Sequence, residues 1–309
     1  MHKATFDPGL TQQFSAPLRR IINKDGTFNV HRRGVTWRDI NPYLYLINMS
    51  WSGFLSVVFL AYLVVNTIFA LTYYWIGSVQ GTDNSTPLAR FMSDFFFSAQ
   101  TLSTVGYGSL SPRGLTANSV AALESMLGLM GFALATGLLF GRVSRPSAKI
   151  AFSDFMTMSP YQDGWSLQFR IVNKRWNSLM ELEATLIMMT VEGRGSTPTR
   201  TYTPLKLERE RVYFFPLTWT IVHPIDNESP LYGKTAAELE TLQTEFLILV
   251  KGFDDTFSQT VHARDSYRYD EIHWNAKFTP AFHVDEEGDL VLEIDKVGDV
   301  ARLDSPTAA

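Results

Sequence analysis

The chain has 309 residues, enough for two domains of ordinary size, with 27 basic and 31 acidic side chains and a formal net charge of −4. It has no cysteine, which excludes disulfide bonds, thiolate catalysis and cysteine-based zinc sites. The slightly acidic balance, without a long basic run, argues against a nucleic-acid partner. Residues 40–82 carry no charged side chain, and Glu124 is the only one in 114–141. We therefore expect a membrane part joined to a water-soluble part.

The residues before the first long apolar stretch form two predicted segments. We expect residues 1–30 to be a flexible cytoplasmic segment. Residues 31–50 include the sequence WRDINPYLY, whose mixture of aromatic and charged side chains is typical of a helix lying in the membrane interface. Pro42 would break or kink that helix, and a plain juxtamembrane linker is the alternative interpretation.

Two apolar stretches are long enough to cross a membrane. Residues 51–76 would form a helix of about 39 Å, longer than the ~30 Å hydrocarbon core, with aromatic residues at both ends. Residues 115–143 form the second predicted span, whose small residues suit close helix packing in lipid. Basic residues are concentrated before the first span and after the second, so the positive-inside rule places both termini in the cytoplasm. We expect a multi-pass protein of the cell membrane.

A shorter apolar helix is predicted between the two spans. Residues 88–102 (LARFMSDFFFSAQTL) are apolar enough to enter the membrane but too few to cross it, which predicts a re-entrant helix. Non-helical backbone at membrane depth has to be buried in protein or line a wet cavity. The residues that follow this helix are therefore expected to face such a cavity.

The re-entrant helix leads into the pentapeptide Thr104-Val105-Gly106-Tyr107-Gly108. This pentapeptide resembles the known selectivity-filter sequence of potassium channels. In such a filter, four chains direct carbonyl oxygens of the first four residues, with the Thr104 hydroxyl, towards one axis, where they replace the water around K⁺. The backbone has to alternate between left- and right-handed conformations, which glycine permits. We expect Val105 and Tyr107 to point outward and pack against the short helix. The negative end of that helix should favour a cation.

The pore face of the second span follows from a turn of about 100° per residue. The residues that share one line along this helix are Ser125, Leu129, Phe132, Thr136 and Phe140. Phe140 is the innermost of them, where four rings would close a pore by dewetting; ordinary helix packing is the alternative. Glu124 falls about 120° from that line, so we expect it to hydrogen-bond behind the filter or to a neighbouring helix.

Residues 146–303 are predicted to form an all-β domain, followed by a flexible tail at 304–309. Short β-rich or apolar runs separated by Gly, Pro and Asn lie at 167–172, 182–191, 212–220, 245–250 and 290–294. Many short strands favour a sandwich over βαβ units, and the sequence has no G-x-G-x-x-G nucleotide-binding motif.

Four further segments carry a family resemblance: FGRVSRP at 140–146, WTIVHPIDNESPLYG at 219–233, HAR at 262–264 and YDEI at 269–272. With the filter, they make residues 31–295 resemble the inward-rectifier potassium channels, and the bacterial members most closely. The resemblance implies a homotetramer, an interfacial slide helix before the first span and a cytoplasmic domain that extends the pore. The expected fold class is an α-helical two-span membrane pore domain plus an all-β immunoglobulin-like sandwich.

The resemblance also implies roles for single residues. It places the gate at Phe140, and filter support at Gln100, where relatives have a Glu that pairs with an Arg at the position of Leu110; Glu124 is the other candidate support. Strongly rectifying relatives have a cavity acid that binds polyamines and Mg²⁺, and this chain has Phe132 there, so we expect weak block. Phosphoinositides are expected at basic residues beside the spans, namely Arg38, Arg142, Arg145 and Lys149.

The expected function is a potassium-selective channel, gated at the inner helix bundle and by the cytoplasmic domain and anionic lipids. It would conduct K⁺, be blocked by Ba²⁺, and use no cofactor. A two-span potassium channel gated by a soluble ligand on its cytoplasmic domain is the first alternative. A non-conducting membrane receptor or scaffold is the second. An enzyme ranks third, since the sequence shows no catalytic triad, metal-ligand cluster or phosphate-binding loop.

Overall fold

The computed structural model describes residues 6–10, 20–34, 36, 39, 41–145, 148–176, 178–192 and 198–303. The chain divides into two compact units. We call Arg32–Arg145 the helical unit, and Met1–His31 together with Pro146–Ala309 the strand unit. The described residues before Arg32 thus belong with the C-terminal strands and not with the helices that follow them.

The described part of the helical unit contains four α-helices, α1 Pro42–Asn48, α2 Trp51–Ile76, α3 Pro87–Leu102 and α4 Gly114–Val143. In the part of the chain that the structure describes, α2 and α4 are the two helices long and apolar enough to cross a membrane. Two short strands, β1 (Val79–Gln80) and β2 (Ser111–Pro112), pair antiparallel and bracket α3 and the loop after it.

Capping residues set where these helices begin and end. The Ser50 hydroxyl accepts from the Gly53 N–H at the start of α2, and Gly77 ends that helix in a left-handed conformation with φ 67°. The Thr86 hydroxyl accepts from the Ala89 N–H at the start of α3, directly before Pro87. Proline suits this first position because its missing N–H would have no partner in the helix. The turn between α2 and α3 is therefore encoded locally.

The interfacial helix predicted over 31–50 is shorter in the structure. Among the residues described there, only the seven-residue α1 is α-helical. The Asn41 side chain caps it by accepting from the N–H groups of Tyr43 and Leu44. Pro42 begins this helix and does not break it, because it occupies the first turn, where no N–H is needed.

The strand unit consists mainly of two five-stranded sheets. The strands of the first sheet are β6 Leu179–Glu192, β7 Thr199–Leu205, β8 Arg211–Phe214, β10 Glu245–Asp254 and β11 Gln259–Arg268. Those of the second are β3 Ile150–Phe152, β4 Met156–Tyr161, β5 Gly164–Asn173, β9 Thr218–Ile225 and β12 Ile272–Trp274. The first sheet has the order β11-β10-β6-β7, with β8 also paired to β6; the second has the order β12-β4-β5-β3, with β9 paired to β5. All pairs in these sheets are antiparallel except β12 with β4.

Smaller elements complete the strand unit. Two hairpin-like pairs follow the sheets, β13 (Ala276–Phe278) with β16 (Val300–Arg302), and β14 (Phe282–Val284) with β15 (Leu290–Leu292). One helix, α5 (Ala236–Thr241), begins with a reciprocal capping box between Thr235 and Glu238. The run predicted at 212–220 is divided between β8 and β9, because Pro216 lies between them and has no N–H to donate to a ladder.

A single apolar core joins the two sheets. Phe169 and Ile171 of β5 and Phe246 and Ile248 of β10 are fully buried in it, together with Tyr267 of β11. Apolar residues from both sheets meet in one layer, which is the packing of a β-sandwich. The predicted fold class, a two-span helical domain followed by an all-β sandwich, is confirmed.

The segment from Arg20 to Val30 differs from the expectation that residues 1–30 are flexible. Ile21 and Ile22 are buried beside Leu247. The Ile21 N–H donates to the Glu245 carboxylate at 2.9 Å, and the Ser266 hydroxyl donates to the Ile22 carbonyl at 2.7 Å. Burial of two isoleucines and these bonds hold the described part of the segment on the first sheet. The predicted tail at 304–309 lies outside the described residues.

Candidate functional site

The loop after α3 leaves the helix through a tight set of backbone hydrogen bonds. The Thr104 N–H donates to the Thr101 carbonyl at 3.0 Å. The N–H groups of Val105 and Gly106 both donate to the Gln100 carbonyl, at 2.9 and 3.3 Å. The helix end therefore fixes where the pentapeptide 104–108 begins.

The backbone of the pentapeptide alternates in handedness. Thr104, Gly106 and Gly108 have positive φ angles of 60°, 54° and 83°, whereas Val105 and Tyr107 do not lie in that region. A Cβ at either glycine would meet nothing within 4 Å, so conformation and not space is what favours glycine there. Thr104 adopts a conformation that non-glycine residues seldom take, which is a feature of strained functional loops. Successive carbonyls can point to one side only if the backbone alternates in this way.

The side chains of Val105 and Tyr107 are placed differently from the expectation. They are 53% and 78% exposed in the single chain, so they do not pack closely against the short helix of their own chain. More than half of each of these residues is left uncovered by the described part of the chain. The sequence pattern does not distinguish contacts within a chain from contacts between copies.

Behind the loop, Glu124 of α4 is completely buried and bonded to two other helices. It accepts from the Tyr73 hydroxyl of α2 at 2.6 Å and forms a short hydrogen bond with the Ser98 hydroxyl of α3. Its partners Tyr73 and Ser98, and Asn66 beside them, were not predicted. Besides Glu124 itself, the polar Asn66 in the middle of an apolar span is the sequence signal for such a cluster.

Gln100, the other predicted filter support, behaves differently. Its side-chain Oε1 is buried and has no hydrogen-bond partner in the part of the chain that the structure describes. Its backbone carbonyl, in contrast, accepts from both Val105 and Gly106. Within one chain, Gln100 thus supports the loop through its main chain.

The five residues predicted to line a pore lie on one side of α4, spaced three or four apart. In the single chain Leu129, Phe132 and Phe140 are 61%, 76% and 72% exposed. Thr136 is exposed as well, and Ser125 is partly exposed. This face of α4 is free of contacts that would bury it, in contrast to the face that carries Glu124.

The basic residues predicted to contact lipid fall into different settings. The Arg142 guanidinium donates to the carbonyls of Leu46 and Ile47 at 3.0 and 3.2 Å and to that of Met49, and it lies 4.6 Å from the Trp51 ring. These bonds satisfy the free carbonyls at the end of α1. Arg145 is exposed and donates to the Asn48 side chain. Lys149 is exposed and belongs to the strand unit, while Arg38 lies outside the described residues.

Comparison with known proteins identifies both units. The family model of the inward rectifier potassium channel transmembrane domain matches residues 22–146, and that of the inward rectifier potassium channel C-terminal domain matches residues 150–309. Inward rectifier potassium channel Kirbac3.1 of Paramagnetospirillum magnetotacticum is 37% identical over 299 residues, 95% of this chain and 100% of that one. G protein-activated inward rectifier potassium channel 2 of Homo sapiens is 25% identical over 87% of this chain and 69% of its own length.

A solved structure of Spo0M, a sporulation control protein from Bacillus subtilis, matches 42% of this chain and 50% of its own, but its TM-score of 0.24 carries no argument. The two family models together span nearly the whole chain, and the relatives that match over most of their length are ion channels and not enzymes. The resemblance inferred from the filter and the four further segments is confirmed. The chain belongs to the inward-rectifier potassium channel family, whose members are embedded in membranes.

Proposed function

We propose that this protein is a potassium-selective channel in which residues 104–108 of four identical chains form the filter. The observation that carries the proposal is that positive φ at Thr104, Gly106 and Gly108 alternates with negative φ at the two residues between them. Carbonyl oxygens of Thr104, Val105, Gly106 and Tyr107 would then face one axis and replace the water of K⁺, the permeant ion. No cofactor and no enzymatic step enters this function.

Uncovered surfaces support the fourfold assembly. Val105, Tyr107 and the pore-facing side of α4 are exposed in the single chain, although they lie in or beside segments that cross a membrane. A closed ring of copies would cover Tyr107 and enclose Phe132 and Thr136 around a water-filled path. Homotetramers are therefore the proposed functional state.

The gate is proposed at Phe140, near the C-terminal end of α4. Its ring is 72% exposed in the single chain and free to meet its counterparts from three other copies. Four aromatic rings at a constriction exclude water and thereby ions. Phe132, in the middle of the same line, leaves the cavity without an acid, so polyamines and Mg²⁺ would block weakly, whereas Ba²⁺ would block at the filter.

We also propose a cell-membrane location with both termini in the cytoplasm and regulation by the strand unit and by anionic lipids such as phosphoinositides. Arg145 is the stronger candidate for a lipid headgroup in the helical unit, because the Arg142 guanidinium is already engaged by three carbonyls. Lys149 and Arg38 remain candidates on the grounds of charge alone. Truncating or neutralising these side chains should change the response to lipid and not the selectivity.

Reconstitution of the full-length chain in liposomes tests the proposal. We expect K⁺ flux that Ba²⁺ blocks, little Na⁺ flux, and a fourfold complex by native mass spectrometry. A Gly106→Val variant is the matched control, because a β-branched residue cannot easily adopt φ 54°. A complex of another stoichiometry, or equal Na⁺ and K⁺ flux, contradicts the proposal.

A further inference from the structure

Four polar side chains lie buried together between the helices of the helical unit, and we call them the buried polar cluster. They come from α2, α3 and α4 and are Asn66, Tyr73, Ser98 and Glu124. Each has 0% of its surface exposed in a single chain. Because one copy already covers them fully, no neighbouring copy reaches them, and the hydrogen bonds of the cluster have to be satisfied within one chain.

The orientation of Asn66 is determined by a backbone carbonyl. One end of its amide lies 2.7 Å from the Tyr62 carbonyl oxygen, so that end has to be the NH₂ group, which donates. The other end, Oδ1, then faces the Ser98 hydroxyl at 3.0 Å. Since Oδ1 only accepts, Ser98 donates its single hydroxyl proton to Asn66.

The Ser98 proton is therefore not available for Glu124. Ser98 Oγ nevertheless forms a short hydrogen bond with Glu124 Oε1, and Glu124 Oε2 accepts from the Tyr73 hydroxyl. An ionised Glu124 has no proton of its own, so either this contact or the one with Asn66 would set two acceptors against each other. Such an unmade bond between buried groups is unfavourable.

We propose that Glu124 keeps its carboxyl proton and donates it to Ser98. The chain of donors then runs from Glu124 to Ser98 to Asn66 to the Tyr62 carbonyl, with Tyr73 donating to Glu124, and every polar atom has a partner. A neutral, fully satisfied cluster also avoids burying an unpaired charge among apolar helices.

The cluster makes Glu124 a positioning residue for the filter, an inference that rests on the proposed channel function. Ser98 lies on α3 just before Gln100, whose carbonyl holds Val105 and Gly106. Tyr73 also packs edge-on against Phe97, with ring centroids 4.8 Å apart. The depth and rotation of α3, and hence the start of the filter, are therefore tied to both long helices through neutral hydrogen bonds.

Infrared difference spectroscopy of the full-length reconstituted channel tests the protonation directly and does not depend on conduction. At neutral pH the spectrum of the wild type should contain the C=O stretching band of a protonated carboxylic acid, and the spectrum of Glu124→Gln should lack that band. Asp94 is another buried acid of the same unit, and an Asp94→Asn spectrum separates its contribution. A difference spectrum with only carboxylate bands lost would overturn the proposal, whatever the channel conducts.

Flux measurements test the positioning role. A Gln at position 124 donates from Nε2 to Ser98 and accepts from Tyr73, so Glu124→Gln should keep the ratio of K⁺ to Na⁺ permeability within about twofold. Glu124→Leu leaves the Tyr73 hydroxyl without an acceptor and should lower that ratio by about tenfold or more. If Gln and Leu lower the ratio equally, the positioning role is wrong. If neither the wild type nor any variant is K⁺-selective, the proposed function itself is wrong.

Discussion

Gly128 of α4 lies directly against the main chain of Leu102, the last residue of α3. A Cβ at position 128 would come within 1.9 Å of the Leu102 carbonyl oxygen. Backbone atoms cannot move aside as the end of a flexible side chain can, so only glycine fits this contact. The second long helix thus contacts the last residue of the short helix, just before the pentapeptide 104–108.

A Gly128→Ala substitution should therefore destabilise the helical unit by roughly 1–3 kcal/mol, the usual cost of overpacking. The melting temperature of the purified channel in detergent measures the effect, and K⁺ selectivity in liposomes shows whether the filter has shifted.

Gly131→Ala is the matched control on the same helix, because a Cβ there meets nothing within 4 Å in the chain. It should be neutral or stabilising by up to about 1 kcal/mol, since alanine favours helix more than glycine does. An equal fall in melting temperature for both variants would show that the contact with Leu102 does not cause the destabilisation.

Replacing the proposed gate residue should make the closed channel leak. In Phe140→Ala the constriction loses four aromatic rings, so water can enter and ions can follow. Basal K⁺ flux into liposomes should rise, and Ba²⁺ should still block it because the filter is intact. Leu139→Ala, next along the helix and off the pore line, is the comparison; unchanged basal flux in Phe140→Ala would exclude the gate.

The lack of an acid in the cavity predicts weak block by polyamines. Phe132 lies on the pore-facing line of α4 and is 76% exposed in the single chain, so an acid there would face the ion path. Phe132→Asp should strengthen block by internal spermine at least tenfold, through attraction between opposite charges in a confined space. Strong block of the wild type would contradict this assignment.

Arg142 is expected to hold α1 against the end of α4. Arg142→Lys retains the charge but loses the planar group that bonds to several carbonyls and stacks on Trp51. Hydrogen exchange in residues 42–49 should become faster by about tenfold or more, the factor that a loss of ~1.4 kcal/mol produces. Arg113→Lys, at an exposed side chain directly before the other end of α4, should have little effect; similar hydrogen exchange in both variants would count against the role of Arg142.

Asp265 predicts a pH dependence of stability in the strand unit. Burial raises its pKa to about 6, opposed by Lys24, whose ammonium lies 3.6 Å away. The folded state therefore holds this proton between about pH 4 and pH 6 while the unfolded chain has released it, so this group makes stability fall as pH rises through that window. For a pKa raised by about two, this contribution to the free energy of unfolding is at most roughly 3 kcal/mol.

Denaturation of wild type and Asp265→Asn at pH 4 and pH 7 measures this contribution. Relative to wild type, the free energy of unfolding of Asp265→Asn should be higher at pH 7 than at pH 4. Burial also raises the pKa of Glu245, which acts in the same direction, but that contribution is common to both proteins and cancels. An exposed-site control, Glu240→Gln, should show no such change; a constant difference between wild type and Asp265→Asn would refute the prediction.

Much of the helical unit could be predicted from local sequence. The apolar stretch at 51–76 coincides with α2, and the pentapeptide after the short helix adopts the alternating backbone that its glycines allow. Both are properties of consecutive residues. The docking of Ile21 and Ile22 could not be predicted, because their buried partners Met189, Tyr202 and Leu247 lie more than 160 residues away along the chain.

Local sequence is enough to predict the two spans, the short helix with the pentapeptide after it, and several β-rich runs of the strand unit, because hydrophobic length, side-chain period and glycine placement act over a few neighbouring residues. Tertiary packing sets the contacts that local sequence cannot show, namely those of Glu124 with Ser98 and Tyr73, of Arg142 with α1, and of Gly128 with Leu102. Helical period shows which face a residue is on, but which atoms meet across helices depends on the depth and rotation at which those helices pack, and these are set by the whole unit together.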